Sequence, residues 1–206
     1  GADARGVVDH LDFLSDVRQG KSPDIGNKVI IIGGGNSAMD AARTAKRLVG
    51  VDGEVSIVYR RTRKQMPADH MEISAAIEEG VHVVELAGPE SVQLKDGKIR
   101  GLEVSTMKLG APDSSGRRSP VKVEGKNYII ETDSIIVAIG QRVKLDFLPG
   151  GELSVERKSL RSTLPFVLAG GDVIAISSLI NAIGHGRRAT KSIIAAAGLS
   201  PKVNIA

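Results

Sequence analysis

Lys28–Ala38, KVIIIGGGNSA, decides the fold. Lys28–Ile32 is a short apolar run that stops on Gly33-Gly34-Gly35. Such a run fits a parallel strand buried on both faces. Residues 36–49, NSAMDAARTAKRLV, then read as a helix opened by a polar residue. At the join, Gly33–Ala38 matches G-x-G-x-x-A. Gly33 allows the tight turn, Gly35 lets the backbone approach a pyrophosphate, and Ala38 keeps the helix close to the strand. Free N–H groups and the helix dipole then face the anion. Gly33, Gly34, Gly35, Asn36, Ser37 and Ala38 are the expected dinucleotide-binding residues. The competing reading is a glycine-rich turn that serves packing alone.

Working outward, Glu54–Tyr59 reads as a second strand. Residues 69–79 read as a helix opened by Pro67 and ended by Gly80, and Val81–Glu85 as a third strand. This alternation predicts a parallel sheet. Upstream, Val7, Val8, Leu11, Leu14 and Val17 stand at helical spacing, which predicts a helix over 7–19. Downstream, residues 90–95 and 98–106 flank Asp96-Gly97, a hairpin signal. Residues 110–120 read as a polar loop, 121–124 and 126–131 as strand-like runs, and 133–139 as a buried strand closed by Gly140. After Pro149-Gly150-Gly151, Pro165–Ala169 reads as a strand, Gly170-Gly171-Asp172 as a turn, and about 178–197 as a long helix. The expected class is α/β: a Rossmann-like parallel sheet with an antiparallel β insert, followed by one more strand and helix.

The end of the second strand selects the dinucleotide. An NAD site places Asp or Glu there, to accept from the ribose 2′-OH. This chain has Tyr59-Arg60-Arg61-Thr62-Arg63-Lys64, with four cations and no carboxylate. Arginine offers a fork for a 2′-phosphate. Two hydrogen bonds to charged groups would favour NADP over NAD by roughly 3–6 kcal/mol before screening. NADPH is the expected cofactor; a merely solvated basic loop is the alternative.

Composition narrows the chemistry. The 206 residues suit one or two domains. Glycine, at 24 residues, is in excess, which fits a turn-rich phosphate cradle. Cysteine is absent, which removes disulfides, thiolate metal sites, iron–sulfur ligation and a CxxC pair. Redox chemistry would therefore rest on a bound organic cofactor. The four His show no H-x-x-x-H spacing, so no metal site is expected. No nucleophile elbow is visible. No catalytic acid or base is expected either, because hydride transfer depends on positioning. A net charge of +4 over this length and five aromatic residues do not make a nucleic-acid surface. Gly184–Ala189, GHGRRA, repeats the G-x-G-x-x-A spelling but follows no strand-like run. No stretch of about 18–20 apolar residues spans a membrane, and residues 1–20 do not read as a signal peptide. A cytoplasmic protein without a membrane partner is expected.

The runs VIIIGGGNSAMDAAR, VYRRTRKQMPA, IEEGV, PDSSGRRSPV, TDSIIVAIGQ and LAGGDV, in that order, resemble the small (beta) subunit of NADPH-dependent glutamate synthase. The flavin portion of dihydropyrimidine dehydrogenase belongs to the same group. The resemblance implies an NADPH domain set into an FAD domain. It implies hydride passing from NADPH to FAD, and electrons leaving through iron–sulfur clusters to a large catalytic partner subunit. It puts the pyrophosphate at Gly33–Ser37 and the 2′-phosphate at Arg60, Arg61 and Arg63. It puts Ala138, Ile139 and Gly140 close to the bound dinucleotide. Gly171 and Asp172 match a motif whose Asp contacts the FAD ribityl chain, and Ala182 matches a helix start facing the flavin ring. Met66, Pro67 and Glu72 match a segment whose role is either structural or a nicotinamide contact.

Departures from the family shape further expectations. The chain opens on Gly1 and holds neither an earlier G-x-G-x-x-G unit nor a cysteine-rich segment. It is therefore expected to be part of a longer protein. Residues 1–145 would form the NADPH-binding domain and 146–206 a C-terminal segment of the FAD domain. Asp172 alone cannot hold FAD, so flavin is expected in the parent protein and not in this chain. Leu179, Ile180, Ile183, Ile193 and Ile194 would lack their sheet, which predicts a homo-oligomer through residues 165–197, or else disorder there. The remaining alternative is a stand-alone NADP(H)-binding module without turnover.

Overall fold

The computed structural model describes residues 1–140, 143, 145–175 and 178–199. The chain divides into two compact units, Gly1–Gly140 and Gln141–Ala206.

The first unit is built on a five-stranded sheet of β1 (Val7–Asp9), β2 (Lys28–Gly33), β3 (Glu54–Tyr59), β4 (His82–Glu85) and β8 (Ser134–Ala138). Its order is β1-β8-β2-β3-β4, and every neighbouring pair is parallel. Three helices cover one face: α1 (His10–Arg18), α2 (Asn36–Val49) and α3 (His70–Glu78). A three-stranded antiparallel sheet of β5 (Ala87–Lys95), β6 (Lys98–Pro112) and β7 (Arg118–Glu131) packs on the other.

Strand alternation explains the layering. Val29, Ile31, Val55, Ile57 and Ile136 enter the core shared with the helices. Their neighbours Ile30, Val58 and Ile135 enter the core shared with β5 and β6. A strand covered on both faces needs apolar residues at consecutive positions, as the sequence of β2 has. The helix α2 presents Ala38, Ala41, Ala42 and Ala45 to the sheet, all fully buried. Small side chains at this i, i+3, i+4, i+7 spacing bring helix and sheet close together. The α/β class with an antiparallel insert is therefore borne out.

Some boundaries differ from expectation. Residues 7–9 are a strand, not the start of a helix. Val7 and Val8 pair with Ile135 and Ile136 of β8, and the Asp9 carboxylate caps α1 by accepting from the Leu11 N–H at 2.8 Å. The predicted loop 110–120 shrinks to 113–117, because β6 and β7 run further than their local patterns show. The Asp133 carboxylate accepts from the N–H groups of Asn27 and Lys28, both at 2.8 Å, and anchors the start of β2.

In the second unit Pro165–Ala169 is not a strand. Among the described residues only the isolated bridges Val155–Ser162 and Arg161–Leu168 form there, and Phe166 sits at φ +62°. A proline beside a left-handed residue cannot continue a ladder. The long helix is present as α4 (Leu179–Ala196), with the Ser178 hydroxyl as its N-cap. Leu179, Ile180 and Ile183 are 75%, 79% and 65% exposed. Gly184–Ala189 lies wholly inside α4, where no strand leads into it. Residues 176, 177 and 200–206 of the expected 146–206 segment lie outside the described residues. No helix among the described residues is long and apolar enough to cross a membrane.

Candidate dinucleotide site

The carboxyl ends of β2, β3 and β8 define the site. Strand order reverses between β2 and β8: β3 and β4 follow on one side, while β8 and β1 lie on the other. In open α/β sheets that switch point carries the ligand crevice.

Three consecutive glycines have three different surroundings. Gly33 has φ +152° and pairs with Ala138; a Cβ on it would overlap the Ala138 carbonyl oxygen. A Cβ on Gly34 would lie 2.5 Å from the Tyr59 ring, whose hydroxyl donates to the Gln65 carbonyl at 2.9 Å. Gly35 is the N-cap of α2, and no atom lies within 4 Å of where its Cβ would be. The helix has no side-chain cap there. A 14-residue helix thus opens onto free space with its first N–H groups facing outward.

The segment after β3 is strapped over this turn. Ala68 N–H donates to the Gly34 carbonyl at 3.1 Å, and Asp69 N–H to Asn36 Oδ1 at 2.8 Å. Asn36 therefore braces the loop, while Ser37 is exposed beside it and Ala38 is buried. Met66 is buried in the helix-side core. Pro67 is exposed in the same strap. Glu72 pairs with Arg43 of α2 at 2.8 Å, and Arg43 also binds Glu79 at 2.6 Å. The hydrogen bond from Arg43 holds the Glu79 carboxyl below its ordinary range. Glu72 and Met66 thus hold α2, α3 and the strap together.

The basic turn separates into unlike residues. Arg60 and Lys64 are exposed and have no hydrogen-bond or ion-pair partner among the described residues. Arg63 is tied to Glu85 through Nε at 2.7 Å and through its backbone N–H at 3.1 Å. Arg61 departs most from expectation. It is 4% exposed, and it donates to the Arg118 carbonyl at 2.7 Å and to Asp113 Oδ2 at 2.6 Å. A guanidinium buried in this way is committed to its carboxylate and does not stand free beside Arg60. Beyond the turn, a cavity of about 560 Å³ is lined by residues including Thr62, Arg63, Lys64, His70 and Glu85.

On the other side of β2, Ala138 ends β8, Ile139 is exposed, and Gly140 has φ +111°. Gly33, Gly34, Gly35, Ser37 and Ala138 are thus brought together around one turn. Gly171, Asp172 and Ala182 belong to the second unit. There Gly171, at φ +72°, donates its N–H to His185 Nδ1 at 2.8 Å, and a Cβ on it would lie 3.6 Å from Ala182. A Cβ on Gly170 would lie 2.8 Å from His185. His185 is thus the acceptor that holds the Gly170-Gly171 turn on α4. Nothing in the local sequence signals that contact. Among the described residues no cluster of His, Asp and Glu is placed to hold a metal ion.

The fold and its glycine turn define a Rossmann-like α/β protein, with helices on one face of its parallel sheet and an antiparallel sheet on the other. Residues 1–195 match the pyridine nucleotide-disulphide oxidoreductase family, and the chain belongs to that family. It is 39% identical over 197 residues to the NADP(+)-dependent formate dehydrogenase subunit beta of Moorella thermoacetica, covering 91% of this chain and 28% of that protein. It is 31% identical over 206 residues to the glutamate synthase [NADPH] small chain of Azospirillum brasilense, covering 95% of this chain and 42% of that one. The chain thus spans less than half the length of either relative, and its resemblance to the glutamate synthase small chain is borne out. FprA of Mycobacterium tuberculosis, solved in complex with NADPH, shares the fold at a TM-score of 0.71 and 17% identity, over 96% of this chain and 60% of that one.

Proposed function

We propose that the first unit binds NADPH and presents its nicotinamide to FAD in a longer flavin-dependent oxidoreductase. One observation carries the reading: the uncapped N-terminus of α2 opens onto free space at Gly35, beside exposed cations that have no partner among the described residues. A pyrophosphate accepts from N–H groups of this kind, and the helix dipole favours its charge. Arg60 and Lys64 receive the 2′-phosphate, with Arg63 behind them on Glu85. The nicotinamide half extends the other way, over Ala138, Ile139 and Gly140. The names of both relatives point to NADP chemistry, and both are subunits or chains of larger assemblies. A large catalytic or iron–sulfur subunit is accordingly the proposed partner.

FAD, when bound, supplies the hydride acceptor. In this chain Gly171, Asp172 and Ala182 are proposed to contribute to its site in the parent. Two of these residues already have packing tasks on α4. Residues 146–206 are then the FAD-side segment, and the exposed Leu179, Ile180 and Ile183 are its uncovered face. Self-association through that face is expected in the isolated chain. Light scattering that finds a monomer at all concentrations overturns it.

Titration calorimetry with NADPH and NADH tests the cofactor. We expect NADPH to bind at least about tenfold more tightly, as a single charged hydrogen bond to the 2′-phosphate would produce. Equal affinities would remove the basis of the proposal.

A further inference from the structure

We infer that Arg61 is a positioning residue for the basic turn, acting through Asp113 at the tip of the β6–β7 hairpin. The inference deepens the NADPH reading and rests on it.

In sequence, Arg60 and Arg61 are equivalent cations at the end of β3. In the structure they have opposite environments. Arg60 is exposed and unpaired among the described residues, while Arg61 is almost wholly buried against residues 52 and 57 positions away. Both ends of its contact are prepared. The Asp113 carboxylate accepts from the Ser115 N–H at 2.9 Å and from the Ser115 hydroxyl, and the Asp113 N–H donates to the Arg117 carbonyl at 2.8 Å. The hairpin tip is therefore ordered by its own bonds and presents Asp113 Oδ2 to Arg61. Arg118 turns its own guanidinium to the carbonyls of Leu109 and Gly110, at 2.8 and 2.9 Å, leaving its carbonyl to accept from Arg61. The Arg61 carbonyl accepts from the Leu86 N–H at 3.0 Å, so its backbone is held as well.

A buried charge tolerates few alternative positions, because moving away from its partner leaves it uncompensated. The turn is thereby fixed at Arg61, one residue from Arg60 and three from Lys64. A ligand that must be met at a set distance from Gly33–Ser37 benefits from such a fixed approach. The antiparallel insert thus acts as a brace for phosphate selection, in addition to covering the sheet.

The test compares Asp113→Ala and Arg61→Met, with Asp113→Asn as the milder variant should either fold poorly. Each is read by the ratio of NADPH to NADH affinity, by melting temperature, and by amide exchange at Ser115 and Gly116. We expect each single variant to lower the NADPH/NADH ratio by about tenfold, and the double variant to lower it no further, because both act through one contact. In Arg61→Met we expect exchange at the hairpin tip to rise by roughly tenfold. Two results overturn the inference. In one, Arg61→Met lowers the ratio while Asp113→Ala leaves or raises it, which means that Arg61 meets the phosphate itself. In the other, the variants lower the melting temperature with the ratio unchanged, which means that the pair is structural only. If the unaltered chain shows no preference for NADPH, the cofactor reading falls. The exchange measurement needs no nucleotide and still decides whether Arg61 holds the hairpin.

Discussion

Gly33→Ala is expected to lower the melting temperature by on the order of 10 °C and to abolish measurable NADPH binding. The added Cβ would overlap the Ala138 carbonyl, which is backbone at the paired end of β8 and cannot rotate away. The φ of +152° adds conformational strain for any residue with a side chain. Overpacking and strain together cost roughly 3–5 kcal/mol. Gly35→Ala separates this structural cost from ligand contact. Gly35 has φ −92°, and nothing lies within 4 Å of its absent Cβ, so the fold should accept alanine. The methyl group would instead occupy the space in front of α2. We expect Gly35→Ala to leave the melting temperature within about 2 °C and to weaken NADPH by at least about tenfold. Calorimetric titration of the two variants checks both statements. Unchanged NADPH affinity in Gly35→Ala would show that the cradle lies elsewhere.

Arg60→Gln is expected to weaken NADPH by about 10–100-fold while changing NADH affinity by less than about twofold. This corresponds to losing one charge-assisted hydrogen bond of roughly 1.5–3 kcal/mol. Arg60 has no partner among the described residues, so the substitution leaves no buried group unsatisfied. The melting temperature should therefore hold, in contrast to Arg61 variants. The salt dependence of NADPH binding should also fall, because part of it reflects this cation. Retained NADPH affinity, or equal losses for both nucleotides, would remove Arg60 from the 2′-phosphate site.

What the sequence makes legible is what is local. Residues 36–49 and 54–59 coincide with α2 and β3, because helix periodicity, the flanking glycines and the apolar runs lie within a few residues of each other. The turn between β2 and α2 is legible for the same reason. The expected helix at 7–19 loses its first residues to β1 because the decisive partner, β8, is far away in sequence. The length of β6 and β7 was hidden likewise: their tip is ordered by Asp113 and held by Arg61. Arg60 and Arg61 carry the same charge on adjacent letters, and only burial tells a free cation from a fixed one. Pro165–Ala169 has a strand's apolar content, but among the described residues it has no neighbouring strand to pair with, and it turns at Phe166.

The place of β8 sets an order of events in assembling this sheet. The edge strand β1 pairs with β8 alone, and the buried His10 that follows it bonds to the Val137 carbonyl 127 residues away. A ribosome adding roughly 5–20 residues per second needs on the order of 10 s to bridge that gap. During that interval β2, β3 and β4 can join through their short crossovers, and the meander β5–β7 can close on itself. Within this sheet, β1 precedes the other strands in sequence and has its partner only once β8 emerges. Among the strands of this sheet β1 is therefore the earliest made and the last seated, and β8 completes the sheet by entering between β1 and β2.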